Sequence, residues 1–324
     1  MPLPLSVRPE LVEGRGLRHR ARMKIVRLGT RGSPLALVQA GMVRDALIAA
    51  HPGLSIEIVP IRTTGDRVQD RALAEIGGKA LWTKELDRAL LAGEIDVAVH
   101  SMKDVETVRP DEIAIAAMLP RADVRDRLVG AASFDALPFG ARIGTSSPRR
   151  AAQVRCIRRD LTPVLFRGNV DTRLAKLAAG EVEATLLAAA GLERLGRHDV
   201  GVAISTTAMP PAPAQGAVGI ECRATDDTAL SALAAIDHFP THTCVLAERA
   251  LLAALIADCH SPVAALARIE GGVLTINATL YTEDGSAHVS AQASGVPIDG
   301  AVSRRLAAKL LDAAPASIRT LFGG

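Results

Sequence analysis

Aromatic side chains make up only 2% of this 324-residue chain: one Trp, one Tyr and five Phe. Its core must therefore be built from Ala, Leu, Val and Ile, and an apolar fraction of 48% supplies enough of them. A charge excess of one sign is also missing, since 38 Lys and Arg stand against 35 Asp and Glu. That balance excludes a bulk nucleic-acid binder, whose basic footprint would be larger and clustered in runs. Any anion site has to be local. The four cysteines are Cys156, Cys222, Cys244 and Cys259. No two form C-x-x-C, and none stands at zinc-finger spacing to a histidine, which speaks against structural zinc and a disulfide framework. A reduced, cytoplasmic setting is expected. No H-E-x-x-H or comparable pattern occurs, so no metal is expected. No apolar run is long enough to span a bilayer, so no membrane partner is expected either.

A chain of this length exceeds one ordinary core and should divide into two or three domains. Residues 1–22 are rich in Arg, but they lack the apolar stretch of a signal peptide and carry Glu10 and Glu13. They read as a disordered extension, or as an upstream start codon taken in error, and the fold is expected to begin at Met23.

From there the pattern is strand, turn, helix, repeated. Ile25–Leu28 reads as a strand and residues 29–32 as a turn. Ser33 then suits an N-cap and Pro34 the first helical position. Leu35, Val38, Met42 and Ala46 recur at helical spacing as the expected buried stripe. A strand over Ile56–Ile61 completes a βαβ unit, which implies a parallel sheet. Ile95, Val97 and Val99 alternate as another strand, ending in His100-Ser101-Met102-Lys103-Asp104. Ligands of open α/β sheets lie beyond such carboxyl ends. Gly144-Thr145-Ser146-Ser147-Pro148 repeats the earlier Gly-Thr…Ser-Pro junction, as two related domains would. Met209-Pro210-Pro211-Ala212-Pro213 reads as a hinge or crossover. Past about His238 the pattern becomes α+β. It has a helix, strands at Val273–Tyr281 and Ala287–Ala293 around an Asp284-Gly285 turn, and a last helix near 301–313.

Arg31, Arg149, Arg150, Arg167 and Arg173 fall at strand-to-helix junctions, and Arg194 at a comparable one. Any one of them alone would read as a solvated surface arginine. Six at equivalent turns suggest one sheet edge that gathers guanidinium forks for a ligand with several carboxylates. Asp104 beside Lys103 would by itself read as a solvated pair. Inside an arginine-lined cleft, a carboxylate serves a developing positive charge. Cys259 lies in a polar turn and is accessible to chemistry, whereas the other cysteines read as small buried hydrophobes. Gly77-Gly78-Lys79 lacks the remainder of a phosphate loop and reads as a loop with Lys79 and Lys84 as anion contacts.

Taken in series, GTRGSPLAL (29–37), GGKALWTKEL (77–86), DVAVHSMKD (96–104), GTSSPRR (144–150), RGNVDTRL (167–174), QGAVGIECR (215–223) and the Cys259 turn resemble the hydroxymethylbilane synthase (porphobilinogen deaminase) family. The resemblance implies an α/β fold with two doubly wound, periplasmic-binding-protein-like domains and a C-terminal α+β domain. The implied limits are 23–119 with 213–236, then 120–212, then 237–324. It further implies a dipyrromethane cofactor on the Cys259 thiol and head-to-tail condensation of four porphobilinogen units with loss of ammonia. Asp104 would be catalytic. Lys103, Ser147, Arg149 and Arg150 would hold the cofactor. Arg31, Ser33, Lys79, Thr145, Arg167, Arg173 and Arg194 would bind substrate. The expected partner is small-molecule porphobilinogen and the expected state a monomer. Two departures stand out: Ala257-Asp258 precedes Cys259 where the family has small residues, and Ala214 replaces a glycine before Gln-Gly. Asp258 should raise the thiol pKa. The competing reading is a two-lobed polycarboxylate-binding protein without chemistry. A regulator with similar lobes would need a DNA-binding segment, which residues 1–22 cannot supply.

Overall fold

The computed structural model describes residues 25–62, 83–297 and 300–322. In chain order the elements begin with β1 (Ile25–Arg31), α1 (Pro34–Ala50), β2 (Ser55–Ile61), α2 (Lys84–Leu91), β3 (Val97–Ser101) and β4 (Ile113–Met118). Next come β5 (Asp126–Val129), β6 (Arg142–Thr145), α3 (Pro148–Ile157), β7 (Thr162–Leu165), α4 (Val170–Ala178), β8 (Ala184–Ala188), α5 (Ala189–Arg194) and β9 (Val202–Ala203). Then follow β10 (Val218–Arg223), α6 (Asp227–Ala234), α7 (Phe239–Ala254), β11 (Val263–Glu270), β12 (Val273–Tyr281), β13 (His288–Gly295), α8 (Ala301–Ala313) and α9 (Ala316–Arg319).

The strands form three sheets. The first has the order β2-β1-β3-β10-β4 and the second the order β7-β6-β8-β5-β9. In each, three parallel strands meet a fourth that runs antiparallel. The two sheets thus share one topology, as the repeated Gly-Thr…Ser-Pro junction suggested. The chain passes between them twice, through the segments before β5 and before β10. Both sheets carry helices on both faces, the doubly wound arrangement expected. In the first, Val26, Leu28, Val97 and Val99 pack under α1, while Ala98 and Ile95 pack under Leu86 and Leu90 of α2. In the second, Ile143 and Leu186 meet Val154 of α3, and Leu187 meets Leu192 of α5. The third sheet, β11-β12-β13, is antiparallel and packs its apolar face on α7 and α8. No described helix is long and apolar enough to cross a membrane.

Two local expectations need correction. Strand β1 continues through Gly29-Thr30-Arg31, where a turn was expected. Gly29 serves close packing there, since a Cβ would lie 2.3 Å from Ile95 Cδ1. The buried face of α1 is Ala36, Gln39, Ala40, Val43 and Leu47, whereas Val38 and Met42 are exposed. Alanines let this helix lie close on the sheet, so the larger residues face outward.

Candidate functional site

The strand-to-helix junctions of both sheets open on one cavity of about 680 Å³. Its wall carries eight Lys and Arg side chains against three Asp. The helix starts are built as their sequences dictate. Ser33 caps α1 by accepting from Ala36 N at 3.4 Å, Ser147 caps α3 by accepting from Arg150 N at 3.4 Å, and Asn169 caps α4 by accepting from Thr172 N at 2.8 Å. Pro34 and Pro148 follow their serine caps at the first helical position. All three caps line the cavity, so it faces helix N-termini as well as guanidinium groups.

Lys103 and Asp104 ride on a single 3-10 turn, Met102–Asp104, directly after β3. Met102 anchors that turn. It is buried, and it occupies the space a side chain at Gly219 would take, where a Cβ would sit 2.0 Å from Met102 Sδ. The Lys103 ammonium is held below its usual pKa by burial and by Arg150 and Arg149, against the pull of Asp104.

Arg149 and Arg150 are buried and share one carboxylate. Arg149 Nη2 donates to Asp126 Oδ2 at 2.8 Å and Arg150 Nη2 to Asp126 Oδ1 at 2.6 Å. Gln215 Nε2 adds a third bond to Asp126 Oδ1 at 2.9 Å. Burial opposes ionisation of Asp126, yet the two guanidinium groups hold its pKa well below the usual carboxylate range. Two cations on one anion leave a net positive wall. The Nε atoms of both arginines are buried without hydrogen-bond partners. Arg173 donates to Gly168 O and Ser146 Oγ, and its pKa is pushed down to about 10 by burial and by Arg150, with Arg167 adding to the effect. Cations crowded to this degree favour an anionic ligand over water.

Cys259 is exposed to the cavity from the turn after α7. Its thiol pKa is raised to about 12 by loss of solvent, then by Asp104 and by Asp258. The direction expected from Asp258 is therefore present, and Asp104 contributes more. This predicts that alkylation of Cys259 by iodoacetamide in the unmodified protein still accelerates about tenfold per pH unit between pH 8 and 10. A rate that levels off near pH 9 would contradict the environment described.

Most of the expected site residues meet here: Arg31, Ser33, Lys103, Asp104, Ser147, Arg149, Arg150, Arg167, Arg173 and Cys259 all line the cavity. Two stand behind its wall. Thr145 is buried and accepts from Ser147 N at 3.1 Å, while Arg194 donates to Gly216 O at 2.7 Å. Lys79 lies outside the described residues; Lys84 opens α2. The sequence reading missed Asp126, Gln215 and Arg249. A signal existed for Asp126, which shares the inward face of the short strand Asp-Arg-Leu-Val with Leu128. A carboxylate on an apolar face calls for a buried cation.

The porphobilinogen deaminase dipyromethane cofactor binding domain matches residues 26–231, and the porphobilinogen deaminase C-terminal domain matches residues 242–312. The chain is 60% identical to a porphobilinogen deaminase of Sphingopyxis alaskensis over 92% of its own length and 96% of that protein. It is 50% identical to one of Paracoccus denitrificans, over 90% of this chain and 95% of that protein. Among solved structures, a periplasmic VFT2 domain of Bordetella pertussis BvgS is similar at 14% identity and a TM-score of 0.39, over 66% of this chain and 87% of that one. That likeness is too slight to argue from. The two domain matches and the level of identity decide the matter: this chain belongs to the porphobilinogen deaminase family.

Proposed function

We propose that this protein is a transferase of tetrapyrrole biosynthesis that joins four porphobilinogen molecules head to tail on a covalent primer, with loss of ammonia at each step, and that water then cleaves the bond to the primer to release hydroxymethylbilane. The observation that carries this reading is the meeting of one thiol and one carboxylate, Cys259 and Asp104, in a cavity walled by cations. Every porphobilinogen brings an acetate and a propionate arm. The lengthening product therefore gathers negative charge, and Arg31, Arg149, Arg150, Arg167 and Arg173 supply the matching positive charge.

The same residues fit a dipyrromethane group. Cys259 offers the only cavity-exposed thiol among the described residues, and Lys103, Ser147, Arg149 and Arg150, which line the same cavity, would hold the group's carboxylates. When bound, that group supplies the nucleophilic pyrrole carbon on which the chain is extended. Asp104 accepts pyrrole N–H groups and faces the positive charge left on substrate as ammonia departs. Loss of solvent is the main cause of the raised Cys259 pKa, and Asp104 adds to it: the carboxylate charge that disfavours a thiolate there would favour a cation beside it.

The three-domain division 23–119 with 213–236, 120–212 and 237–324 belongs to this proposal, as do a cytoplasmic setting and a monomer. A binding protein without chemistry would need neither the thiol nor Asp104 in the cavity. The test is the intact mass of the denatured protein with peptide mapping of Cys259. A two-pyrrole adduct on that residue is expected in the wild type and not in Cys259→Ser. A thiol that stays bare after incubation with porphobilinogen would overturn the assignment.

A further inference from the structure

The loop that follows Asp104 is held from two sides. On the side of the first sheet, Arg109 donates to Asp87 at 2.5 Å, to Glu106 at 2.6 Å and to the buried Glu221 at 2.8 Å. On the side of the third sheet, Arg249 of α7 reaches across. Its Nη1 donates to Val105 O at 3.2 Å, and its Nη2 donates to Thr107 O at 3.1 Å and to Glu106 O. Arg249 is 6% exposed and forms no ion pair among the described residues. Three successive carbonyl dipoles compensate its charge in place of a carboxylate. Thr107 completes the link, since its Oγ1 donates to Ala257 O at 2.9 Å, two residues before Cys259. The second sheet meets the third elsewhere. Gln153 Nε2 donates to Tyr281 Oη at 3.1 Å and Cys156 Sγ to Gly285 O at 3.0 Å, both away from the thiol turn.

We infer that Arg249 and Thr107 are positioning residues that hold the Asp104 carboxylate at a fixed distance from the Cys259 thiol. The inference rests on the function proposed above. A buried guanidinium without a carboxylate partner is costly to retain for stability alone. Here it ties the loop that follows Asp104 to the helix and turn that carry the primer-bearing thiol.

The test uses Thr107→Val, which keeps shape and removes one bond, and Arg249→Gln, which removes the charge. Misplacement of reacting groups by about 1 Å costs on the order of 100-fold in rate. The expected fall in kcat is thus about tenfold for Thr107→Val and about 100-fold for Arg249→Gln, with KM within about twofold. A second readout needs no turnover. In the primer-free full chain, Asp104, Asp258 and Glu106 are the anions that act on Cys259. When the clamp loosens, Asp104 recedes, and the pH midpoint of Cys259 alkylation should fall by about one unit, tenfold in thiolate fraction. A loss of thermal stability with kcat and the midpoint unchanged would overturn the inference, and Thr107→Val decides it should Arg249→Gln fail to fold. Wild-type protein that neither carries the adduct nor turns over would instead sink the proposed function.

Discussion

Asp104→Asn should lower kcat by about 100- to 1,000-fold while the protein stays folded and its affinity for substrate changes little. Removal of one group that faces developing charge in a desolvated site has an effect of that order. Asn keeps the shape and one acceptor oxygen, so a pyrrole N–H still finds a partner. What disappears is the negative charge. The surroundings make that charge matter: Lys103, Arg149, Arg150 and Arg173 all bias the cavity against a cation, and Asp104 lies in the same wall to offset them. The same substitution should lower the Cys259 pKa in primer-free protein, because Asp104 is one of the causes that raise it. Steady-state kinetics on porphobilinogen with primer-loaded variant protein is the measurement. A kcat within about threefold of wild type would remove Asp104 from the chemistry. An unchanged kcat with a raised KM would leave it only a binding role. Asp104→Glu, which restores the charge on a longer stem, should recover part of the loss.

The parts of this site that the sequence made legible are those fixed by local chemistry. A serine followed by proline announces a helix start, so the mouths of α1 and α3 were readable from Ser33-Pro34 and Ser147-Pro148. Arginines at such starts could be read as a group, and most of that group does share one cavity. Pairings across long separations were not readable. Asp126 lies 23 residues from Arg149, and Arg121 lies 127 from Glu248, with no local pattern to join them. Strand β10 was missed for a related reason. Its Glu221 is fully buried in the middle of the strand, which is tolerable only because Arg109 and His100 approach it from elsewhere in the chain. The buried face of α1 misled because alanine carries little hydrophobic signal, yet it permits the closest approach. Cys259 stood apart from the other cysteines only as a thiol in a polar turn, and the resemblance supplied its role. The Ala214 departure now has a geometry: φ is 62°, in the region that favours glycine. Its amide donates to Glu248 Oε2 at 2.5 Å, which helps hold the residue there.

That bond leads to the largest stability effect expected. Glu248→Gln should destabilise the fold by about 3–5 kcal/mol, the range for breaking a buried ion pair from one side. Glu248 is fully buried and takes four hydrogen bonds. Arg121 donates to Oε1 at 2.8 Å and to Oε2 at 2.9 Å, Ala267 N to Oε1 at 2.7 Å and Ala214 N to Oε2 at 2.5 Å. One side chain on α7 therefore joins both passages between the first two sheets to strand β11. Gln cannot replace it. Whichever oxygen becomes an NH₂ group, that group faces a guanidinium N–H and a backbone N–H, donor against donor. The Arg121 charge also loses its partner in a site that water does not reach. At about 2–4 °C per kcal/mol, the midpoint of thermal unfolding should fall by on the order of 10 °C. Calorimetry on the variant checks this, with Arg121→Gln as the companion. The double variant should cost less than the sum of the two, because each single change strands the other's charge or donors. A Tm within about 2 °C of wild type in Glu248→Gln would mean that the passages are held by packing alone. A large loss accompanied by broadened or split unfolding would show that this one carboxylate keeps the three sheets melting together.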